Sequence, residues 1–210
     1  MWCPNDKVDY ASNTTGQITP NGRVGQTIIS YIKDVSCIVE IGTWNGLGST
    51  RCFLVGLQPG AQLFTLETHK EKHEIAQRNL AQYMKPGVTF LWGSILKLED
   101  VTDEQSIFPE LKTNSEFARW HSVDMENLKM SPNVLSELPE KIEFLLLDGG
   151  EFTTWYEFKI LLPRCSRYIA LDDVNVSKCK KIREFLKNHA FWSEVEYIPE
   201  RNGFSLFKRN

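Results

Sequence analysis

The stretch Ile38–Thr50, IVEIGTWNGLGST, runs from an apolar strand through an acid into three glycines within seven residues. A chain does this where its backbone turns sharply and something comes close to it. The glycine spacing restricts what that something is. A triphosphate-binding loop needs a lysine after its last glycine, and none stands there. The dinucleotide pattern G-x-G-x-x-G is not met by Gly42, Gly46 and Gly48 either. Glu40, just inside the strand, would sit badly beside a pyrophosphate. An acid followed by E-x-G-x-x-x-G suits a nucleoside cofactor without phosphates, with the acid holding a cationic amine and the glycines admitting an amino-acid tail.

Strands and helices alternate outward from this turn. GQTIISYIKDV has helical spacing before the strand CIVEIG, and STRCFLVGL reads as a helix stopped by QPG. The strand QLFTLE, the amphipathic helix KEKHEIAQRNLAQYM and the strand VTFLWGS follow. From 97 to 140 the rhythm fails, and the stretch is expected to be an irregular insert, either a lid or an acceptor-binding region. The alternation returns with IEFLLLD, a continuous apolar run suited to a strand buried on both faces. TTWYEFKILLPRC, RYIALDD and SKCKKIREFLKN continue it, and SEVEYIPERNGFSLFKR reads as a hairpin turning at Asn202-Gly203. The expected fold is α/β and Rossmann-like: a mostly parallel sheet with helices on both faces and a C-terminal antiparallel hairpin. A single domain is expected over 1–210, with 1–25 as an N-terminal extension.

Composition sets the class. The 210 residues are 41% hydrophobic and 24% charged, as in a soluble globular domain, and the net charge of −3 gives no reason to expect nucleic acid. Lys178, Lys180, Lys181 and Arg183 read as the solvated face of a helix. Five scattered cysteines, Cys3, Cys37, Cys52, Cys165 and Cys179, show neither zinc nor redox spacing and point to a reducing, cytoplasm-like compartment. No apolar run approaches the roughly 18 residues that span a bilayer, so no membrane partner is expected. The polar start, MWCPNDKVDYASNTTGQ, lacks a signal core and is equally consistent with a cut from a longer multidomain chain.

In an open α/β sheet, ligands bind beyond the carboxyl ends of the strands. Those ends are Glu40-Ile41-Gly42, Leu66-Glu67-Thr68, Trp92-Gly93-Ser94, Leu147-Asp148-Gly149 and Leu171-Asp172-Asp173. Four of the five carry a carboxylate, which scattered surface acids would not do. Glu67 can accept both hydroxyls of a ribose. Gly93-Ser94 can meet an adenine edge, or Ser94 can cap a helix before ILKLED.

With these residues in view, VEIGTWNGLGS, TLE, LWGS, LLLDGG and IALDDV resemble, in order and spacing, the class I S-adenosylmethionine-dependent methyltransferases over about residues 26–208. The form E-I-G-T-x-x-G and the G-S after the third strand resemble the metal-dependent sugar and catechol-type O-methyltransferases. A slighter similarity is to the methyltransferase domain fused to glycosyltransferases in large chlorella-type DNA viruses, which would make this a viral protein of the host cytoplasm. The resemblance implies a seven-stranded sheet, with Glu40, Gly42, Thr43 and Gly46 at the methionine part of S-adenosylmethionine, Glu67 at the ribose, Gly93 and Ser94 at the adenine, and Asp148 also at the cofactor. It implies Mg²⁺ or Mn²⁺ at Asp148, Asp172 and Asp173, three hard oxygen ligands. The alternative is that Asp172 caps the next helix while Asp148 only contacts cofactor.

Transfer to a hydroxyl needs a base, or a metal that lowers the hydroxyl pKa. Sugar methyltransferases of this branch often carry D-G-D after the fourth strand, whereas here Gly150 stands at the second acid and Glu151 follows it. Asp148, Glu151, Asp173 and His121 are the candidate catalytic residues. Trp120, Trp155 and Tyr156 are candidates to pack on a sugar ring or to fill the core. The expected activity is O-methylation of a small or glycan acceptor. The alternatives are a catechol or phenol acceptor, an NAD-dependent enzyme, and a non-catalytic module.

Overall fold

The structure, a computed structural model, describes residues 18–210; Cys3 and most of the expected N-terminal extension lie outside the described residues. The remainder of that extension belongs to the domain. Ile18 is buried, and helix α1 (Arg23–Tyr31) begins inside the span assigned to the extension. A Cβ on Gly25 would stand 1.9 Å from the carbonyl oxygen of Thr19, so the entering strand of chain lies directly on α1.

Seven strands form one sheet: β1 (Cys37–Ile41), β2 (Gln62–Glu67), β3 (Val88–Trp92), β4 (Ile142–Leu147), β5 (Cys165–Asp172), β6 (Trp192–Ile198) and β7 (Phe204–Arg209). Their order is β3-β2-β1-β4-β5-β7-β6. β1 to β5 pair in parallel, whereas β7 pairs antiparallel with both β5 and β6. The order reverses between β1 and β4, and this seam is where an α/β sheet opens a crevice.

Side chains alternate between the two faces of each strand. Ile38, Leu63, Phe144, Leu146 and Ala170 pack with Ile28 of α1, with Ile32 just after it, and with Phe53 and Leu54 of α2 (Ser49–Gly56). Val39, Ile41, Leu145, Leu147 and Ile169 pack on the other face with Phe158 of α6 (Thr154–Leu161) and with Ile182 and Leu186 of α7 (Ser177–Lys187). β4 is buried on both faces at nearly every position, as its unbroken apolar run requires. α3 (Lys70–Leu80) connects β2 to β3. The described cysteines are unpaired: Cys52, Cys165 and Cys179 are buried and Cys37 is half-buried.

The segment 97–140 is not irregular. It holds the short helix α4 (Glu104–Ile107) and the sixteen-residue helix α5 (Ser115–Met130). Asn114 caps α5, its side-chain oxygen accepting from the N–H groups of Glu116 and Phe117. The inward positions of α5 include Phe117, His121, Asp124 and Leu128, spaced by three or four residues. Two of these four are polar, which blurs the hydrophobic periodicity by which a helix is read.

Candidate functional site

The turn after β1 is anchored from below. Glu40 is fully buried: one carboxylate oxygen accepts from Ser49 Oγ at 2.5 Å, and the other from Thr50 Oγ1 at 2.7 Å and Thr65 Oγ1 at 2.6 Å. Thr65 spends its single proton on Glu40, so Thr43 donates to Thr65 in turn, at 2.5 Å. Burial pushes the Glu40 carboxyl up to about 7 against the pull of the three hydroxyls. Glu40, expected from the sequence at a cofactor amine, ties the turn to the start of α2 and to β2 through these hydroxyls.

Gly42 is left-handed, with φ +98°, and a Cβ there would stand 2.1 Å from the Asp148 carbonyl oxygen. Trp44 adopts φ +50°, an uncommon conformation for a bulky residue. Its N–H donates to Glu67 Oε2 at 2.7 Å, while His69 N–H donates to Glu67 Oε1 at 2.9 Å. The β2 acid and the glycine turn are thereby joined at the mouth of the seam. Gly46, φ +79°, packs on Leu80 of α3. Gly93 packs on Pro132 and Val134, so a side chain there would collide with the segment after α5. Ser94 does not cap a helix. It accepts from Leu96 N–H at 3.0 Å through its hydroxyl and bridges in parallel to Asn133.

On the other side of the seam, one carboxylate oxygen from each of Asp148, Asp172 and Asp173 falls within 4.8 Å of the others, as the motifs imply. Two cations that the sequence reading missed are already among them. Lys178 Nζ lies 2.6 Å from Asp148 Oδ1 and 2.6 Å from Asp173 Oδ2, with its side chain only 8% exposed. Arg201, at the hairpin turn with φ +56°, sends Nη2 to both oxygens of Asp172 at 2.7 Å. Asp172 therefore caps no helix; its carboxyl is raised first by burial and then by Asp173, with Lys178 and Arg201 opposing. Asp173 also has a left-handed backbone, φ +58°. Strain of this kind, on the order of 1–3 kcal/mol per residue, gathers at functional sites.

Reading Lys178 as part of a solvated helix face was wrong. On α7 the buried positions are Lys178, Cys179, Ile182 and Leu186, so Lys178 begins the inward i, i+4, i+8 stripe. A lysine in such a stripe demands counter-charge, and Asp148 and Asp173 provide it. Of the other cations in that run, Arg183 pairs with Glu194 at 2.7 Å and Lys181 lies over the Trp155 ring. The three carboxylates are of the right kind for Mg²⁺ or Mn²⁺, yet the site as built does not fit such an ion. An ion about 2.1 Å from Asp148 Oδ1 and Asp173 Oδ2 would fall in the gap that the ammonium fills.

Glu151 joins this group, accepting from Ser177 Oγ at 2.6 Å, and burial raises its carboxyl. His121 does not. It lies on α5, its Nε2 2.5 Å from Glu104 Oε1 and its ring against Phe152. α5 instead brings Asp124 to the loop after β4, where Oδ2 accepts from Phe152 N–H at 3.1 Å and burial pushes the carboxyl up to about 6. A Cβ on Gly150 would stand 2.8 Å from that same Oδ2. The small residue that displaces the second acid of D-G-D thus makes room for α5. Tyr156 is buried and donates to the Thr102 carbonyl, and Trp155 packs with Phe158 and with Phe185 of α7. Trp120 stacks at a tilt on Phe117 of the same helix.

No family model matches the chain, and no curated protein matches it in sequence. Solved structures match its fold. An O-methyltransferase from Bacillus cereus in complex with S-adenosylhomocysteine has TM-score 0.60 at 17% identity, over 89% of this chain and 80% of that one. The O-methyltransferase TomG from Streptomyces achromogenes, involved in tomaymycin synthesis and bound to S-adenosylmethionine, has TM-score 0.58 at 16% identity, over 89% and 79%. A Corynebacterium glutamicum protein gives 0.63 at 12% identity, over 97% and 86%. The chain therefore shares the Rossmann-like fold of these solved structures. No helix among the described residues is long and apolar enough to cross a membrane.

Proposed function

We propose that the protein is an S-adenosylmethionine-dependent O-methyltransferase acting on a hydroxyl of a small, polar acceptor such as a sugar or glycan. One observation carries this reading. At the β1/β4 seam the glycine turn touches both the β2 acid, through Trp44 N–H on Glu67, and the β4 acid, through Gly42 on Asp148. A nucleoside held at Glu67 with its amino-acid tail along Gly42–Gly46 would have its sulfur at the seam, facing Asp148. Two of the fold neighbours carry this cofactor or its demethylated product, which supports the same reading.

The cofactor supplies the leaving group, so the protein aligns the partners and takes a proton. The acceptor oxygen forms a bond to the methyl carbon, and the sulfur–methyl bond breaks with its pair returning to sulfur. The hydroxyl proton passes to Asp148, whose carboxyl burial raises into the range of a base working near neutral pH. Metal assistance is left out of this reaction because Lys178 stands where the ion would bind. A polar rim of Asp148, Glu151, Asp173 and Ser177 favours a polyhydroxyl acceptor over a flat phenol, which calls for an apolar slot.

Calorimetric titration with S-adenosylhomocysteine tests the central claim: one molecule is expected to bind per chain, and no binding would sink it. An NAD-dependent enzyme would instead change the fluorescence of NADH. Transfer of labelled methyl to monosaccharides but not to catechols is the expected acceptor result, and the reverse preference would favour the phenol alternative.

A further inference from the structure

The structure assigns Lys178 as the resident cation of the Asp148–Asp172–Asp173 site, in place of a divalent metal. The inference rests on the methyltransferase reading for its meaning but on the geometry of α7 for its content. Lys178 occupies the first position of the inward stripe that continues through Ile182 and Leu186, and its side chain is nearly closed to solvent. Its ammonium joins the end of β4 to the end of β5, through Asp148 Oδ1 and Asp173 Oδ2, both at 2.6 Å. Arg201 takes both oxygens of the third carboxylate, Asp172. Three carboxylates thus meet two built-in positive charges, and each already has a cation beside it.

A divalent ion entering this site would have to expel the ammonium from between two carboxylates. An expelled Lys178 would have to find a new partner while its stem stays packed under α7, because a buried ammonium without a partner is costly. Mg²⁺ also gives up its water reluctantly and demands octahedral oxygen geometry. Lys178 is in this sense a positioning residue: it fixes the spacing of Asp148 and Asp173 as a metal would, without being removable by a chelator.

The test is titration of the whole chain with Mn²⁺, following free aqueous Mn²⁺ by electron paramagnetic resonance, beside calorimetry of S-adenosylhomocysteine in EDTA. The wild-type chain is expected to take up no stoichiometric Mn²⁺ and to bind S-adenosylhomocysteine equally with and without EDTA. Lys178→Met keeps the bulk of the stem and removes the charge, so it should gain one Mn²⁺ site at least about tenfold tighter than any in the wild type. Lys178→Arg should remain without one. One Mn²⁺ per wild-type chain, abolished by Asp172→Asn, would overturn the assignment, as would a folded Lys178→Met that takes up no Mn²⁺. If Lys178→Met does not fold, the wild-type titration decides by itself. Mn²⁺ uptake together with S-adenosylhomocysteine binding defeats this inference alone. Absence of both defeats the methyltransferase reading and leaves Lys178 as the cation.

Discussion

Gly42 lies on the main chain of Asp148: a Cβ on the glycine would stand 2.1 Å from the Asp148 carbonyl oxygen, and Asp148 N–H donates to the Ile41 carbonyl at 3.0 Å. The turn that suits a nucleoside cofactor and the carboxylate that suits an acceptor proton are therefore neighbours through backbone, across the seam where strand order reverses. Neither can move without the other.

Gly42→Ala should accordingly be among the most damaging single-atom additions in the chain. The left-handed backbone costs about 1 kcal/mol for a non-glycine residue, and a clash with a rigid carbonyl adds more than a side-chain clash would. A loss of at least about 3 kcal/mol is expected by urea unfolding, with S-adenosylhomocysteine affinity falling more than about tenfold. A variant that unfolds and binds like the wild type would show that β1 and β4 are not locked together here.

Glu40 separates two roles for a buried acid. Glutamine can keep one oxygen on Thr50 and Thr65 and turn its amide toward Ser49. Glu40→Gln should then cost less than about 1 kcal/mol and leave S-adenosylhomocysteine affinity within about threefold. Glu40→Ala strands three hydroxyls and opens a cavity, for an expected loss of about 3 kcal/mol. Were Glu40 instead to hold the cofactor amine, the glutamine variant would lose affinity steeply while staying stable, a pattern calorimetry and unfolding would show together.

Arg201 and Asp172 are unequal partners, the arginine side chain 28% exposed and the aspartate 4%. Removing the guanidinium leaves a carboxylate buried beside Asp173, so Arg201→Ala should destabilise by about 2–3 kcal/mol. In the double variant Arg201→Ala/Asp172→Asn much of that loss should return. Additive losses in the cycle would mean that the pair carries no coupling.

The parallel strands were legible in the sequence because their largely apolar runs are bounded by glycine, proline or an acid, and the hairpin because two alternating runs flank Asn202-Gly203. The acidic strand ends were legible for the same reason: Asp148 and Asp172 follow continuous buried stretches. α5 was not, since His121 and Asp124 occupy inward positions where periodicity looks for apolar side chains. Lys178 was hidden by its neighbours, Lys180, Lys181 and Arg183, which do carry the polar side of the helix. The signal that could have found it was the i, i+4, i+8 alignment with Ile182 and Leu186. Arg201 gave no signal at all, because its contact depends on how the hairpin loop folds back onto the end of β5.

Glu157 on α6 provides a test in pH. It is buried with Oε2 lacking a hydrogen-bond partner among the described residues, and its carboxyl is pushed up to about 8, first by burial and then by Asp124 and Glu67, with Lys178 opposing. In the unfolded chain a glutamate titrates near 4.3. Between that pH and about 8 the folded protein holds a proton the unfolded chain has released. Stability therefore falls as pH rises through this window, and the contribution is fully present only below the unfolded value. Glu157→Gln removes the titration. Its stability relative to the wild type should be nearly level at acid pH and higher by about 2–4 kcal/mol on the alkaline side of the window. Glu40, Asp124 and Asp148 are also raised and bend the wild-type curve in the same sense, so the difference between the two proteins, not either curve, isolates Glu157. Urea unfolding of both across the window is the measurement; parallel curves would mean that Glu157 is ionised in the folded state with a counter-charge beside it.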